Sequence, residues 1–289
     1  MAKAKLITIW SAAGSPGRTT MAVSFAAQLA ESGRSVFLVD ADTYWPSIDL
    51  VLGLGDHPAG LAAACRLVSQ QRLDLEQIQR LSTVMAVGAG SITVMTGISG
   101  ANRWPEISSE KLDDLLMVAG EHFDFVILDV ADSLTEGLRM VSSSTERNAV
   151  ARWAVAYSDQ VIGICSADPI GISRYLEACA QLDELKPKGE LLTLVNRLRS
   201  SVLGSSAKQQ ITETLARLGQ ITVSGFIPDD PVAADSAIKA SIPLVLGKRS
   251  SQARQAIELF CRIHLLGERS KLDGRLAKKV GRRAIAKLV

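Results

Sequence analysis

Crosslinking and metal-ligating residues are scarce in this chain. The four cysteines among its 289 residues, Cys65, Cys165, Cys179 and Cys261, stand far apart with no C-x-x-C pair, and the three histidines, His57, His122 and His264, show no metal-ligand spacing. Neither a disulfide framework nor a zinc site is indicated, and buried free thiols are expected. No apolar stretch approaches the roughly 20 residues needed to cross a bilayer. The start of the chain, Met1-Ala2-Lys3-Ala4-Lys5, enters a short apolar strand without the longer apolar region and cleavage site of a signal peptide, so a cytoplasmic protein is expected. Aromatic residues make up only 4% of the chain, yet Tyr44 and Trp45 are adjacent, which points to partner contact or to core packing.

Charge is balanced overall and lopsided in detail. The formal net charge is +2, but eight of the 32 basic residues lie between Arg269 and Val289, beside the single acid Asp273, and the rest of the chain carries a net charge of −5. An anionic partner is therefore expected at the tail and not across the fold.

What the chain does contain is alternation of strand and helix patterns. Strands are expected near 5–10, 35–40, 84–87, 91–95, 124–129, 160–165, 191–195 and 221–226. Helices are expected near 18–32, 59–70, 110–120, 145–157, 170–185, 206–218, 231–239 and 250–266. No internal repeat is evident. The pattern predicts an α/β fold, a mostly parallel twisted sheet with helices on both faces. Residues 1–268 read as one nucleotide-binding domain and 269–289 as a basic tail.

The first strand, Leu6-Ile7-Thr8-Ile9-Trp10, leads through Ser11-Ala12-Ala13-Gly14-Ser15-Pro16-Gly17-Arg18-Thr19-Thr20 into an apolar-periodic helix. Strand, glycine loop and helix in that order place open backbone amides around an anion, where the helix dipole adds to their pull. Gly17 and Thr19 fit the template G-x-x-x-x-G-K-[ST], whereas Ala12 and Arg18 depart from it. A second strand ends in Asp40-Ala41-Asp42 and a later one in Asp129. Three strand ends thus converge on one phosphate site, with the Thr19 hydroxyl and acids suited to a hydrated Mg²⁺.

With these residues in place, the sequence resembles the deviant Walker ATPases, the superfamily of the partition protein ParA and the septum-positioning protein MinD, and most of all its CpaE/TadZ and MinD side. The resemblance spans about residues 5–266. Ser47-Ile48-Asp49-Leu50-Val51-Leu52-Gly53 is similar to the segment after the paired aspartates, Val195-Asn196-Arg197 to an adenine-contacting asparagine at a strand end, and Gly225-Phe226-Ile227-Pro228-Asp229-Asp230 to a late base-side loop. The resemblance implies ATP with Mg²⁺ as ligand. It implies cofactor contacts from Ala13, Gly14, Ser15, Gly17, Arg18, Thr19, Thr20, Asn196, Arg197, Pro228 and Asp229, a metal shell from Thr19, Asp40 and Asp129, and catalytic roles for Asp42, which positions the attacking water, and Arg18. Asp132 reads as a loop acid.

The departures bear on turnover. The family signature K-G-G-x-G-K-T-T has lysines where this chain has Ala13, which cannot reach across a dimer, and Arg18, whose planar guanidinium is bulkier than an ammonium. Pro16 lacks an N–H. Weak or slow ATP hydrolysis by a switch that dimerises or docks in the ATP state is expected, with a non-hydrolysing scaffold and a ParA-type DNA-segregation ATPase as alternatives. Arg103, Arg147 and Arg152 are candidates to restore the lost charge, against ordinary surface ion pairing. The expected partners are a second copy in the ATP state, the protein component of a positioned machine and, through residues 270–289, an anionic membrane at its inner face. DNA is the lesser alternative. In the tail, Leu272, Leu276, Val280, Ala284 and Leu288 recur every four residues among the cations, while Gly274 and Gly281 weaken a helix there, so a solvated linker stays open.

Overall fold

Alternate residues of each central strand feed two separate apolar layers. In β1 (Lys5–Ser11) Ile7 and Ile9 face one layer and Trp10 the other, and in β2 (Ser35–Ala41) Val36 and Leu38 part in the same way from Phe37 and Val39. Both faces are dry, which is why these strands read as nearly continuous apolar runs. The computed structural model describes residues 3–55, 59–136, 146–199, 204 and 206–268. The basic tail and residue 145 lie outside the described residues, and the helix expected from near 145 starts at Ala149, after a turn at residues 147–148.

The remaining strands are β3 (Thr83–Val87), β4 (Gly90–Met95), β5 (Phe125–Val130), β6 (Gln160–Ser166), β7 (Glu190–Leu198) and β8 (Val223–Pro228), and the eight form one sheet ordered β3-β4-β2-β5-β1-β6-β7-β8. All neighbours pair in parallel except the β3–β4 hairpin at one edge. Helix α1 (Arg18–Glu31) covers one face together with α10 (Gln252–Phe260), its Phe25 stacked on Phe260 at 5.5 Å. The other face carries α3 (Gly60–Ser69), α5 (Ser109–Ala119), α6 (Ala149–Tyr157), α7 (Pro169–Leu185) and α8 (Ala207–Gly219). Helix α9 (Pro231–Ala240) follows β8. All four cysteines are buried and free, and burial pushes each thiol pKa up.

Three expectations shift. The last strand starts at Val223 and not near 221, because α8 ends with Gln220 in the left-handed conformation (φ 54°) and the chain needs two residues to regain extension. The helix expected over 250–266 stops being α-helical at Phe260 and closes as a π turn over Cys261–Leu265. Two short helices had no readable period: α2 (Ile48–Val51) and α4 (Leu75–Arg80), the latter capped by Asp74, which accepts the Gln77 N–H at 2.8 Å.

The order places β2, β5, β1, β6 and β7 side by side, so Asp40, Asp129, Ser11, Ser166 and Asn196 all end at one rim of the sheet. In register, Asp40 is the Cα partner of Asp129, and Ser166 of Asn196. Carboxyl ends of parallel strands are where open α/β sheets bind ligands.

Candidate functional site

The loop between β1 and α1 is built on left-handed residues. Gly14, Ser15 and Gly17 have φ of 114°, 51° and 97°, conformations that glycine takes freely and serine adopts only under strain. Gly17 caps α1 without any side-chain hydrogen bond, and the first helical turn holds no acid. The amides at this helix start are thus left for an anion. The cleft above them, about 420 Å³, is lined by loop residues including Gly14, Ser15, Thr19 and Thr20, with Asp42, Trp45, Asp132 and Arg197 around them. An adjoining pocket of about 160 Å³ runs past Ala13, Asp168 and Arg174.

Arg18 does not face this cleft with its charge free. Its guanidinium turns inward, with Nη2 2.5 Å from Asp42 Oδ2, Nε 3.2 Å from Asp129 Oδ1 and Nη1 3.3 Å from the Ser11 hydroxyl. Burial alone would lower the pKa of Arg18, but Asp129 and then Asp42 outweigh it, and the guanidinium is held more firmly charged than usual. The partner is not so held: burial pushes Asp129 up to about 6, with Arg18 opposing the rise. Burial and the facing Asp129 push Asp40 up to about 8. Three carboxylates against one buried cation leave an excess of negative charge that only protons or a further cation can offset.

Each aspartate is also wired to the backbone. Asp40 Oδ2 accepts the N–H of Ser47 and Ile48 at 2.8 and 2.9 Å, which starts α2, and its Oδ1 accepts the Asp42 N–H at 3.3 Å. Asp42 Oδ1 accepts the N–H of Tyr44 and Trp45 at 2.8 and 3.0 Å. Among the described residues Asp129 Oδ2 is buried without a hydrogen-bond partner, and Thr19 Oγ1 lies 3.1 Å from Ser47 Oγ. Among the described residues no group of three His, Cys, Asp or Glu side chains is gathered as a metal site.

The other expected residues scatter. Asn196 reaches the loop from β7, its Nδ2 donating to the Pro16 carbonyl at 2.7 Å. Arg197 lines both cavities with a left-handed φ of 57°. Pro228 and Asp229 end β8 away from both, where Asp229 Oδ2 lies 3.8 Å from Arg199 Nε. Tyr44 and Trp45 part company: Tyr44 is clamped, its hydroxyl 2.9 Å from Asn148 Oδ1 and its ring under Arg147, whereas Trp45 is 79% exposed. The arginines marked as substitutes are engaged elsewhere, Arg103 with Glu106, Arg147 with the Thr43 carbonyl and Arg152 with Glu146. Sequence reasoning missed Arg174, which sits in the second turn of α7 with no local signal, and Ser47, whose spacing from Asp40 was readable.

Asn196→Ala is expected to remove the bond to Pro16 and cost about 1–2 kcal/mol. Urea denaturation measures the loss, and faster hydrogen exchange in residues 12–17 than elsewhere locates it; exchange that speeds up uniformly would refute a local role.

The family model for the CobQ/CobB/MinD/ParA nucleotide binding domain matches residues 7–244. The septum site-determining protein MinD of Synechocystis sp. is 25% identical over 265 residues, covering 89% of this chain and 88% of its own. Among solved structures, a ParA family ATPase from Chlorobium tepidum superposes with a TM-score of 0.72 at 18% identity, covering 91% of this chain and 99% of that one. MinD from Pyrococcus horikoshii, complexed with Mg-ADP, gives 0.67 at 21% identity over 93% and 99%. At such identities the superpositions speak for the fold.

Proposed function

The chain belongs to the CobQ/CobB/MinD/ParA nucleotide-binding family, and from that premise we propose that it is a MinD-like positioning switch on the CpaE/TadZ side, which binds Mg-ATP, then dimerises or docks on a partner, and hydrolyses ATP slowly. The observation that carries this reading is the left-handed loop whose amides open into a polar cleft rimmed by Asp42 and Thr19. Nucleotide phosphate is the anion that such a cradle suits.

Mg²⁺ fits the residues present. The unpartnered Asp129 Oδ2 and the paired hydroxyls of Thr19 and Ser47 are hard oxygen donors, suited to an ion that keeps several waters. When bound, the ion would neutralise charge on the phosphates. Asp40 has both oxygens committed to backbone amides, so its part is to seat Ser47 and not to ligate directly. Slow turnover follows from Asp42, which must shed Arg18 before it can orient a water. The same engagement favours the second reading, a scaffold that binds nucleotide without cleaving it.

Trp45 and Leu50, 79% and 75% exposed beside the cleft, supply apolar surface for a second copy or a protein partner. No described helix is long and apolar enough to cross a membrane. The tail, with its eight cations, is assigned to anionic membrane in preference to DNA because its apolar residues would add buried area.

Light scattering in ADP, ATP and a non-hydrolysable analogue, beside a phosphate-release assay, tests the switch. A dimer in ATP and in the analogue with slow release is expected; dimerisation with no release supports the scaffold, and a monomer in every state that also binds no partner refutes both. Deleting residues 270–289 should abolish sedimentation with anionic liposomes and leave nucleotide affinity unchanged. Retention on liposomes would overturn the tail assignment.

A further inference from the structure

Two arginines rim the phosphate loop with their charge uncommitted. Arg174, in the second turn of α7, and Arg197, at the end of β7, are both exposed, and neither has an ion pair or hydrogen bond among the described residues. Arg174 lies against the loop itself: a Cβ built on Gly14 would stand 2.7 Å from its Nη1. Gly14 therefore serves twice, taking a φ of 114° and leaving room for the guanidinium one residue beyond Ala13. Arg197 spans the boundary between the cleft and the adjoining pocket and lines both. Meanwhile Arg18, the loop's own cation, is spent on Asp42 and Asp129.

A loop that binds polyphosphate needs cations beside its amides, because backbone N–H groups alone do not offset several negative charges. In this chain neither position 13 nor position 18 provides one freely. We infer that Arg174, assisted by Arg197, is the cation that holds the β- and γ-phosphates, delivered within the same chain from the side of α7. This assignment rests on the nucleotide reading and adds a consequence to it. Because the charge comes in cis, polyphosphate affinity does not require a second copy. Planar guanidinium forks also favour bidentate contact with phosphate oxygens, so the preference runs ATP over ADP over AMP.

The test measures ATP, ADP and AMP affinity with Mg²⁺ by titration calorimetry on the full chain, at protein concentrations where light scattering reports monomer. Arg174→Ala should weaken ATP about tenfold or more and AMP less than twofold, since one charge-assisted contact to phosphate is lost. Arg174→Lys should recover part of the loss, and Arg174→Ala with Arg197→Ala should erase the preference for ATP over AMP. Arg262→Ala, which breaks only a surface pair with Glu268, serves as the control. Unchanged ATP affinity in Arg174→Ala, equal losses for ATP and AMP, or binding seen only in the dimer would each overturn the assignment. A parent chain that binds none of the three nucleotides would instead overturn the nucleotide reading, and this inference with it.

Discussion

Arg18→Ala is expected to destabilise the ligand-free protein by about 3–5 kcal/mol, the cost of leaving buried carboxylates without their cation. The side chains of Asp42 and Asp129 are 4% and 1% exposed, so water cannot take over the role of the guanidinium. Chemical denaturation of parent and variant measures the difference; a loss under 1 kcal/mol at pH 8 would mean that the pair is not part of the stable core. Adding Asp129→Asn to the variant should recover part of the loss, because it removes one of the stranded charges.

The same cluster sets an unusual pH profile. Asp40 and Asp129 have pKa values raised to about 8 and about 6, whereas the unfolded chain titrates them near the ordinary value of about 3.9. Between those limits the folded protein holds protons that the unfolded chain has released, so stability falls as pH rises from about 4 to about 8 and is level beyond. A carboxylate held by a salt bridge and depressed in pKa would give the opposite slope. In Arg18→Ala the Asp129 carboxyl loses the charge that opposed its rise, and the gap between parent and variant should narrow at pH 5. Thermal melting from pH 4.5 to 8.5 reads both effects, and a parent melting temperature that climbs with pH would contradict the buried, proton-holding cluster.

Thr19→Ala is expected to weaken Mg-ATP binding by about tenfold to a hundredfold, about 1.4–2.7 kcal/mol, while metal-free ATP binds as before. The hydroxyl lies 3.1 Å from Ser47 Oγ, and the buried Asp129 Oδ2 has no hydrogen-bond partner among the described residues. Removing one oxygen from that set affects the ion and leaves the loop amides as they were. Calorimetry with and without EDTA separates the two contributions. Equal losses in both conditions would show that Thr19 touches phosphate and not metal, and no loss in either would remove it from the site.

Much of the fold was legible because its strands are buried on both faces. Ser35 to Ala41 is nearly all apolar until the aspartate, and a run that short between turn signals has few other solutions. The glycine loop was legible too, since left-handed positions at 14 and 17 call for glycine and the next residue opens a helix. Helix α2 was not, because four residues carry no period and its start depends on Asp40 accepting the amides of Ser47 and Ile48. The same distinction runs through the charges. That Asp40, Asp42 and Asp129 would meet followed from their places at strand ends, because parallel strands deliver their carboxyl ends to one rim. Where the arginines would point did not follow, since a long side chain has many rotamers and its choice rests on partners distant in sequence. Arg18 reaches Asp129, 111 residues on, and Arg174 reaches the loop from a helix on the far side of β6. The chain by itself thus determined the sheet, the loop and the acidic rim, which depend on local pattern and strand polarity; only the tertiary structure decided which cation is buried and which is left for a ligand, because that choice is made by the desolvation and pairing of groups that folding alone brings together.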